Sequence, residues 1–344
     1  MNNKFWRITL DTTPEDCNLH CIMCEEHSEF SDFKQKLFAK TGVKRRVMPK
    51  EWIHDILLEA KDLGVKEIIP TTMGDPLVSD TFEWIVNEAK QLGLKLNITH
   101  NGTFPRKSVS DWAKLIVPVT SDIKISWNGA TKTTSESVMK GIDFDKAVEN
   151  IKIFITYRNL YFQQTGYYCR VTFQLTFLQN NMHELNDIIR MAAALDVDRI
   201  KGHHLWVHFA VIEKLSFENT KESKTQWNEL VKSAMATAEK FRKPNGKMVV
   251  LENFYHFDID NVSIENHVPE DYECPFLEKE LWISATGKIS PCCAPDEKRN
   301  VLGDFGNYPQ NKLKNVLQSD IYKQLVLNYK KNKLCQTCVM RRKP

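Results

Sequence analysis

The chain has 344 residues, 42% of them hydrophobic, with 47 basic and 44 acidic side chains and a formal charge of +3. That length buries one large core or two unequal ones, which favours two domains over a single small module. No apolar run approaches a membrane span, the start Met-Asn-Asn-Lys-Phe-Trp lacks a secretion signal, and charges of both signs are dispersed, so a cytoplasmic protein with neither a membrane nor a nucleic-acid partner is expected.

A strand-like run over residues 5–13 opens the chain and leads at once into Cys17-Asn-Leu-His-Cys21-Ile-Met-Cys24. Nine cysteines in a long chain of a reducing compartment point to metal or catalysis before disulfides. Three thiolates at this spacing hold three corners of an iron-sulfur cube and leave the fourth iron open, whereas a closed redox centre uses four. The same trio also suits half of a zinc site. Residues 25–49, with Lys44-Arg45-Arg46, form an unusually long loop, expected as a partly ordered lid.

From there β-branched runs alternate with amphipathic stretches. Strands are expected at 66–71, 95–99, 122–127, 168–176 and 199–203, and helices at 50–63, 81–92, 109–116, 145–157 and 183–195. Gly64 and Gly93 stop two of the helices. Such alternation is the pattern of an α/β fold with a parallel sheet. Six strands are too few for a closed eight-fold barrel and suit a partial one over residues 1–215. These folds place chemistry at the C-terminal strand ends, where the cysteine loop falls.

Residues 216–246 read as a helical linker, a polar helix over 215–245 running into Lys243-Pro244-Asn245-Gly246. The remainder, 247–344, is a small cysteine-rich domain. It contains Cys274, Gly287, Cys292 and the pair Cys335-Gln-Thr-Cys338, with a hairpin over 281–291 turning at Thr286-Gly287 and a returning helix over 314–330. Four thiolates satisfy either tetrahedral zinc or a 4Fe-4S cube. Cys293 competes with Cys292 as a ligand, and Cys169, on a strand, is expected to be a small buried residue.

The N-terminal trio resembles the signature of the radical S-adenosylmethionine (SAM) superfamily, with Met23 where an aromatic residue is frequent. The C-terminal pattern resembles the SPASM extensions of those enzymes: cysteine, nine to fifteen residues, glycine, four residues, cysteine. It stops at the final pair, as in the truncated Twitch form of aminocyclitol dehydrogenases, and its glycine-plus-four spacing favours Cys292. The resemblance implies a partial (β/α)6 barrel followed by a Twitch/SPASM-like domain. It implies a SAM-binding 4Fe-4S cluster on Cys17, Cys21 and Cys24, a second, auxiliary 4Fe-4S cluster on Cys274, Cys292, Cys335 and Cys338, and S-adenosyl-L-methionine itself.

Other stretches resemble the family's SAM contacts. Met73-Gly74-Asp75-Pro76 resembles Gly-Gly-Glu-Pro, whose backbone and carboxylate receive the methionine ammonium, which singles out Gly74 and Asp75. Thr99-His-Asn101-Gly resembles Thr-Asn-Gly, although an ordinary turn accounts for it equally. Ser126-Trp-Asn-Gly resembles Ser-x-Asp-Gly, making Ser126 a contact for the SAM carboxylate, with Arg170 on the next strand either a second contact or simply solvated. His203 and His204 end the last strand, where imidazole can bind substrate, move a proton or bond structurally.

The implied activity is reductive SAM cleavage to a 5'-deoxyadenosyl radical and hydrogen abstraction from substrate. A two-electron oxidation or a new bond follows, with the auxiliary cluster as electron acceptor, because four protein thiolates leave no iron open. The electron donor is expected to be a flavodoxin or ferredoxin. Sixteen residues precede Cys17, fewer than a leader-binding domain needs, which leans toward a small molecule or a peptide recruited by other means. The alternatives are a peptide-modifying (RiPP) maturase and a non-catalytic iron-sulfur or zinc protein, the latter predicting no SAM cleavage.

Overall fold

The computed structural model describes residues 5–259, 268–294, 296–338 and 340–343. Six strands, β1 (Arg7–Leu10), β2 (Glu67–Ile69), β3 (Lys95–His100), β4 (Thr120–Ser126), β5 (Arg170–Phe177) and β6 (Arg199–His204), lie side by side in chain order with every pair parallel. Alternation along each strand separates two environments. One face carries buried aliphatic and aromatic groups such as Ile8, Ile98, Ile125 and Phe173. The other carries Arg7, Glu67, Asn97, Asp122 and Arg199, whose burial is offset by mutual bonds: Arg7 Nε donates to Glu280 at 2.9 Å, and Asn97 Nδ2 to Glu67 at 2.9 Å.

The sheet extends past both ends of this set. β7 (Val250–Glu252) adds parallel to β6, and β8 (Glu280–Ile283) adds parallel to β1, with β9 (Ile289–Ser290) antiparallel beyond it. The order is β7-β6-β5-β4-β3-β2-β1-β8-β9, so the barrel is open and its sheet runs across the expected divisions at 215 and 246.

The helices are α1 (Phe33–Thr41), α2 (Lys50–Asp62), α3 (Phe82–Leu92), α4 (Val109–Ile116), α5 (Lys132–Val138), α6 (Phe144–Thr165), α7 (Leu185–Ala194) and α8 (Lys221–Lys240), then α9 (Asp296–Arg299), α10 (Leu313–Gln318), α11 (Asp320–Asn328) and α12 (Lys333–Gln336). Their starts are written in the sequence: Ser108, Thr131, Asp143 and Thr220 each cap a helix through the side-chain oxygen. Among the described residues no helix is long and apolar enough to cross a membrane.

Four elements differ from expectation. α6 continues to Thr165 because nothing between 157 and 165 breaks it, and Gly166 ends it in the left-handed region at φ 73°. α5 has no apolar periodicity to betray it; its cap and Glu184, which accepts from Thr131 and Thr134, hold it. The long loop contains α1. The expected helix over 314–330 breaks at Ser319, whose hydroxyl caps α11 through Tyr322 N.

Candidate iron-sulfur and substrate site

The chain leaves β1 at the C-terminal edge of the sheet and enters the cysteine loop. Main-chain bonds fix that loop against the end of α5: His20 N donates to Lys140 O at 2.9 Å and Ile22 N to Val138 O at 3.0 Å. Leu19 and Ile22 are buried between them. Leu19 N points at Cys17 Sγ (3.5 Å) and His27 N at Cys24 Sγ (3.4 Å), the kind of N–H···S contact that tunes a cluster. Burial, with smaller contributions from neighbouring anions, pushes the Cys17 thiol up to about 12 and raises Cys21 and Cys24 as well. Such thiols become thiolates only beside a strong cation, which cluster iron supplies.

Gly74 explains how the next strand end reaches this loop. At φ 75° a Cβ would lie 2.8 Å from both Thr13 O and Asp16 O, so only glycine lets the 72–76 turn close on the cysteine loop. Asp75 is turned inward rather than toward a ligand. Its Oδ1 accepts from Leu77 N at 2.9 Å and its Oδ2 from Asn101 N at 2.7 Å, while its own N donates to Asp16 O at 2.6 Å. Burial raises its carboxyl to about 6. Asn101 likewise braces the loop, its Nδ2 donating to Asn18 Oδ1 at 2.8 Å. Both residues thus support the loop from behind.

Thr99 and Ser126 line a cavity of about 440 Å³, together with Cys21, Cys24, Thr72 and Met73. Asn128 joins them, its Oδ1 fixed by Thr176 N at 2.9 Å. Arg170 does not: it is the exposed first residue of β5, four residues before Gln174, which does line the cavity. The two histidines separate. His203 faces the cavity, its Nδ1 at 3.2 Å from Gln174 Nε2 and its Nε2 at 3.3 Å from Thr176 Oγ1. His204 points the other way, into Phe177, Trp227 and Phe257 at ring-centre distances of 5.3, 4.7 and 4.6 Å. Burial lowers both to about 4, so each is neutral at pH 7. Trp206, read in the sequence with the histidines at the end of the last strand, lines the cavity, as do Asp11, Gln174 and Trp282, which sequence reasoning passed over; the signal that could have found Gln174 is its place on the same face of β5 as Arg170, four residues on and in register with Ser126.

In the C-terminal segment the hairpin turns where expected. Gly287 has φ 88°, and a Cβ there would meet Tyr308 O at 2.3 Å. Cys274, Cys292, Cys335 and Cys338 lie close enough that Cys292 and Cys274 raise both members of the last pair, after burial as the main cause. Leu277 N points at Cys274 Sγ and Ala294 N at Cys292 Sγ, each at 3.4 Å, repeating the contacts of the first loop. A hydrogen bond from the Cys293 thiol lowers Cys292 to about 7. Arg341, 5% exposed, ties the ends together by donating to Tyr272 O, Cys335 O and Pro269 O. Its charge sits where a thiolate-held cluster would be anionic. Cys293 itself lines the same cavity as Cys21 and Cys24.

Comparison with known proteins agrees with this construction. Residues 13–192 match the model of the radical SAM superfamily. The chain belongs to that superfamily. Residues 274–339 match the SPASM iron-sulfur cluster-binding domain, so this radical SAM protein binds S-adenosylmethionine and a 4Fe-4S cluster and carries an auxiliary iron-sulfur site. Similar solved structures include Streptococcus suis SuiB bound to S-adenosylmethionine (15% identity, TM-score 0.64, covering 94% of this chain and 68% of that one). Another is anSMEcpe with bound AdoMet (15% identity, TM-score 0.65, 98% and 85%). No curated protein matches the sequence.

Proposed function

We propose that this radical SAM protein is an oxidoreductase-like enzyme whose bound cofactors supply a 5'-deoxyadenosyl radical for hydrogen abstraction and, at the auxiliary cluster, an acceptor for the electron a substrate gives up in a two-electron oxidation or bond formation. One observation carries the reading: a single cavity is lined both by Cys21 and Cys24 of the first site and by Cys293, the neighbour of Cys292, of the second.

The chain's residues divide the work. Cys17, Cys21 and Cys24 hold the first cluster, and Cys274, Cys292, Cys335 and Cys338 hold the auxiliary one. Thr99, Ser126 and Asn128 present hydroxyl and amide groups in the cavity beside Cys21 and Cys24, where they bind the polar parts of SAM. Gly74, Asp75 and Asn101 position the loop that carries the first trio. His203, neutral and oriented by Gln174 and Thr176, offers a fixed polar contact rather than a resting acid. Trp206 and Trp282 wall the cavity and exclude water from it.

A peptide is the favoured substrate class. Structures of similar fold were solved with peptides: SuiB with precursor peptide SuiA and anSMEcpe with the Cp18Cys peptide. The test is anaerobic reconstitution with dithionite and SAM, offered short peptides and, separately, sugar-like alcohols. Wild type forms 5'-deoxyadenosine and a product two hydrogens lighter or newly bonded, while Cys274→Ala keeps SAM cleavage and loses the product. Fully loaded protein that forms no 5'-deoxyadenosine refutes the reading, as does a single cluster signal unchanged in Cys274→Ala.

A further inference from the structure

Residues 33–45 carry five cations and no carboxylate: Lys34, Lys36, Lys40, Lys44 and Arg45. Most of this stretch is α1, which buries none of its residues. Phe38 and Val43 are 45% and 39% exposed among those charges, and Lys44 Nζ stands 5.5 Å over the Phe38 ring. Asp32 at the start of α1 pairs with Lys36 at 2.9 Å, so the positive charge in excess beside this exposed apolar surface is that of Lys34, Lys40 and Lys44, and apolar contact flanked by such charge suits an association surface.

The segment is nevertheless pinned, and what pins it borders the first cysteine site. Arg45 grips the Asp16 carboxylate through two bonds, 2.9 and 2.6 Å, and Asp16 is the residue before Cys17. Arg46 Nε donates to Glu15 at 2.6 Å, and its Nη2 pairs with Glu26, two residues after Cys24. At the other end Lys34 Nζ lies 3.2 Å from His27 Nδ1, and the backbone of His27 donates to Cys24 Sγ. The exposed basic platform is therefore fastened at both ends to the thiolate loop.

We propose that α1 and the turn through Arg45 are the docking surface for an acidic one-electron carrier protein that reduces the cluster held by Cys17, Cys21 and Cys24. The inference rests on the SAM-cleaving reading above and adds the place where its electron enters. Charge complementarity selects the partner: the positive charge that Lys34, Lys40 and Lys44 add beyond the Lys36–Asp32 and Arg45–Asp16 pairs steers an acidic protein to this face, and Phe38 with Val43 supplies apolar contact once the charges have aligned the two. One electron crosses the interface. The carrier is oxidised by one electron, the 4Fe-4S cluster passes from the 2+ to the 1+ state, and no atom or proton changes hands.

The experiment uses holoenzyme, wild type and K40E/K44E, both positions being solvent-exposed, and an acidic bacterial flavodoxin as probe, with affinity read by biolayer interferometry. Expected is a loss of at least about tenfold in affinity at low salt, closing near 1 M salt as charges are screened. K40A/K44A should fall between the two. Iron content and dithionite-driven formation of 5'-deoxyadenosine stay at wild-type level, so failure of the SAM reading shows in wild type with dithionite and failure of the docking shows only with flavodoxin. Unchanged flavodoxin affinity overturns the proposal. So does a variant that keeps flavodoxin affinity but binds a peptide substrate more weakly with dithionite as reductant, which would make α1 a substrate platform.

Discussion

Replacing Arg341 by alanine should release the second cysteine site while leaving the first intact. The guanidinium makes four well-formed bonds to main-chain oxygens: Nε to Tyr272 at 3.0 Å, Nη1 to Cys335 at 3.1 Å, and Nη2 to Tyr272 at 2.7 Å and Pro269 at 2.9 Å. A bond from a charged donor is worth about 1.5 kcal/mol net, and part of that is offset by the cost of burying the charge, so the four contribute about 3 to 5 kcal/mol. For a cooperatively unfolding chain of 344 residues that is a fall in Tm of about 4 to 7 °C. The loss is local, because the bonds join residues 269–272 to 335 and nothing in the barrel. Anaerobically reconstituted Arg341→Ala should therefore keep the iron of the first site, lose that of the second, and be cleaved by protease in the C-terminal segment. Arg341→Lys, with the charge but not the planar fork, should recover only part of the loss. A variant with full iron at both sites and unchanged Tm would refute the reasoning.

Gly74→Ala should cost the first cluster and spare the second, because its Cβ must enter the space 2.8 Å from Thr13 O and Asp16 O at a φ unfavourable to alanine; iron analysis and SAM binding by calorimetry read it. His203→Ala should lower kcat by at least about tenfold, whereas His204→Phe, swapping one ring for another among Phe177, Trp227 and Phe257, should stay within about twofold. Burial holds His203 and His204 at about 4, below the unfolded value near 6.5, so their stabilisation is fully present above 6.5 and is lost as pH falls through that value toward 4. Urea midpoints across that window should show a shallower decline in His204→Phe than in wild type. Cys292→Ala should abolish the auxiliary cluster signal, and Cys293→Ala should retain it; the reverse pattern would exchange their roles.

Much of this architecture was legible because it follows from period and punctuation. Alternating β-α segments gave five of the six central strands after the first run, and the glycines at 93 and 287 ended elements where their positive φ demands it. The cysteine spacings were equally plain, since a thiolate has few other uses in such clusters. What escaped has physical reasons. α5 is a polar helix held by Glu184, a residue 50 positions from Thr134, and no local pattern encodes so distant a partner. Asp75 has the charge of a ligand contact, yet two backbone N–H groups claim its oxygens, which only the juxtaposition of two strand ends reveals. His203 and His204 are adjacent in sequence and opposite in environment because successive strand residues face opposite ways. Arg170 follows the solvated alternative: it lies on the cavity-facing side of β5 but at the exposed start of the strand.

The most consequential pairing lies between β1 and β8, 273 positions apart at Arg7 and Glu280. β8 needs a partner strand, and β1 offers its free edge in parallel register, Thr9 opposite Trp282. The buried Glu280 carboxylate secures that register, since sliding the strand would part it from both Arg7 and Thr9. The strand that leads into the first cysteine loop and β8, the first arm of the hairpin whose second arm leads into Cys292, thus lie side by side in one sheet. Their C-terminal ends open on the same cavity, where Asp11 follows one and Ser284 the other. A hinged cysteine-rich appendage would change its distance to the barrel with every motion. A shared sheet fixes that distance, which the proposed transfer of an electron from substrate to the auxiliary site requires.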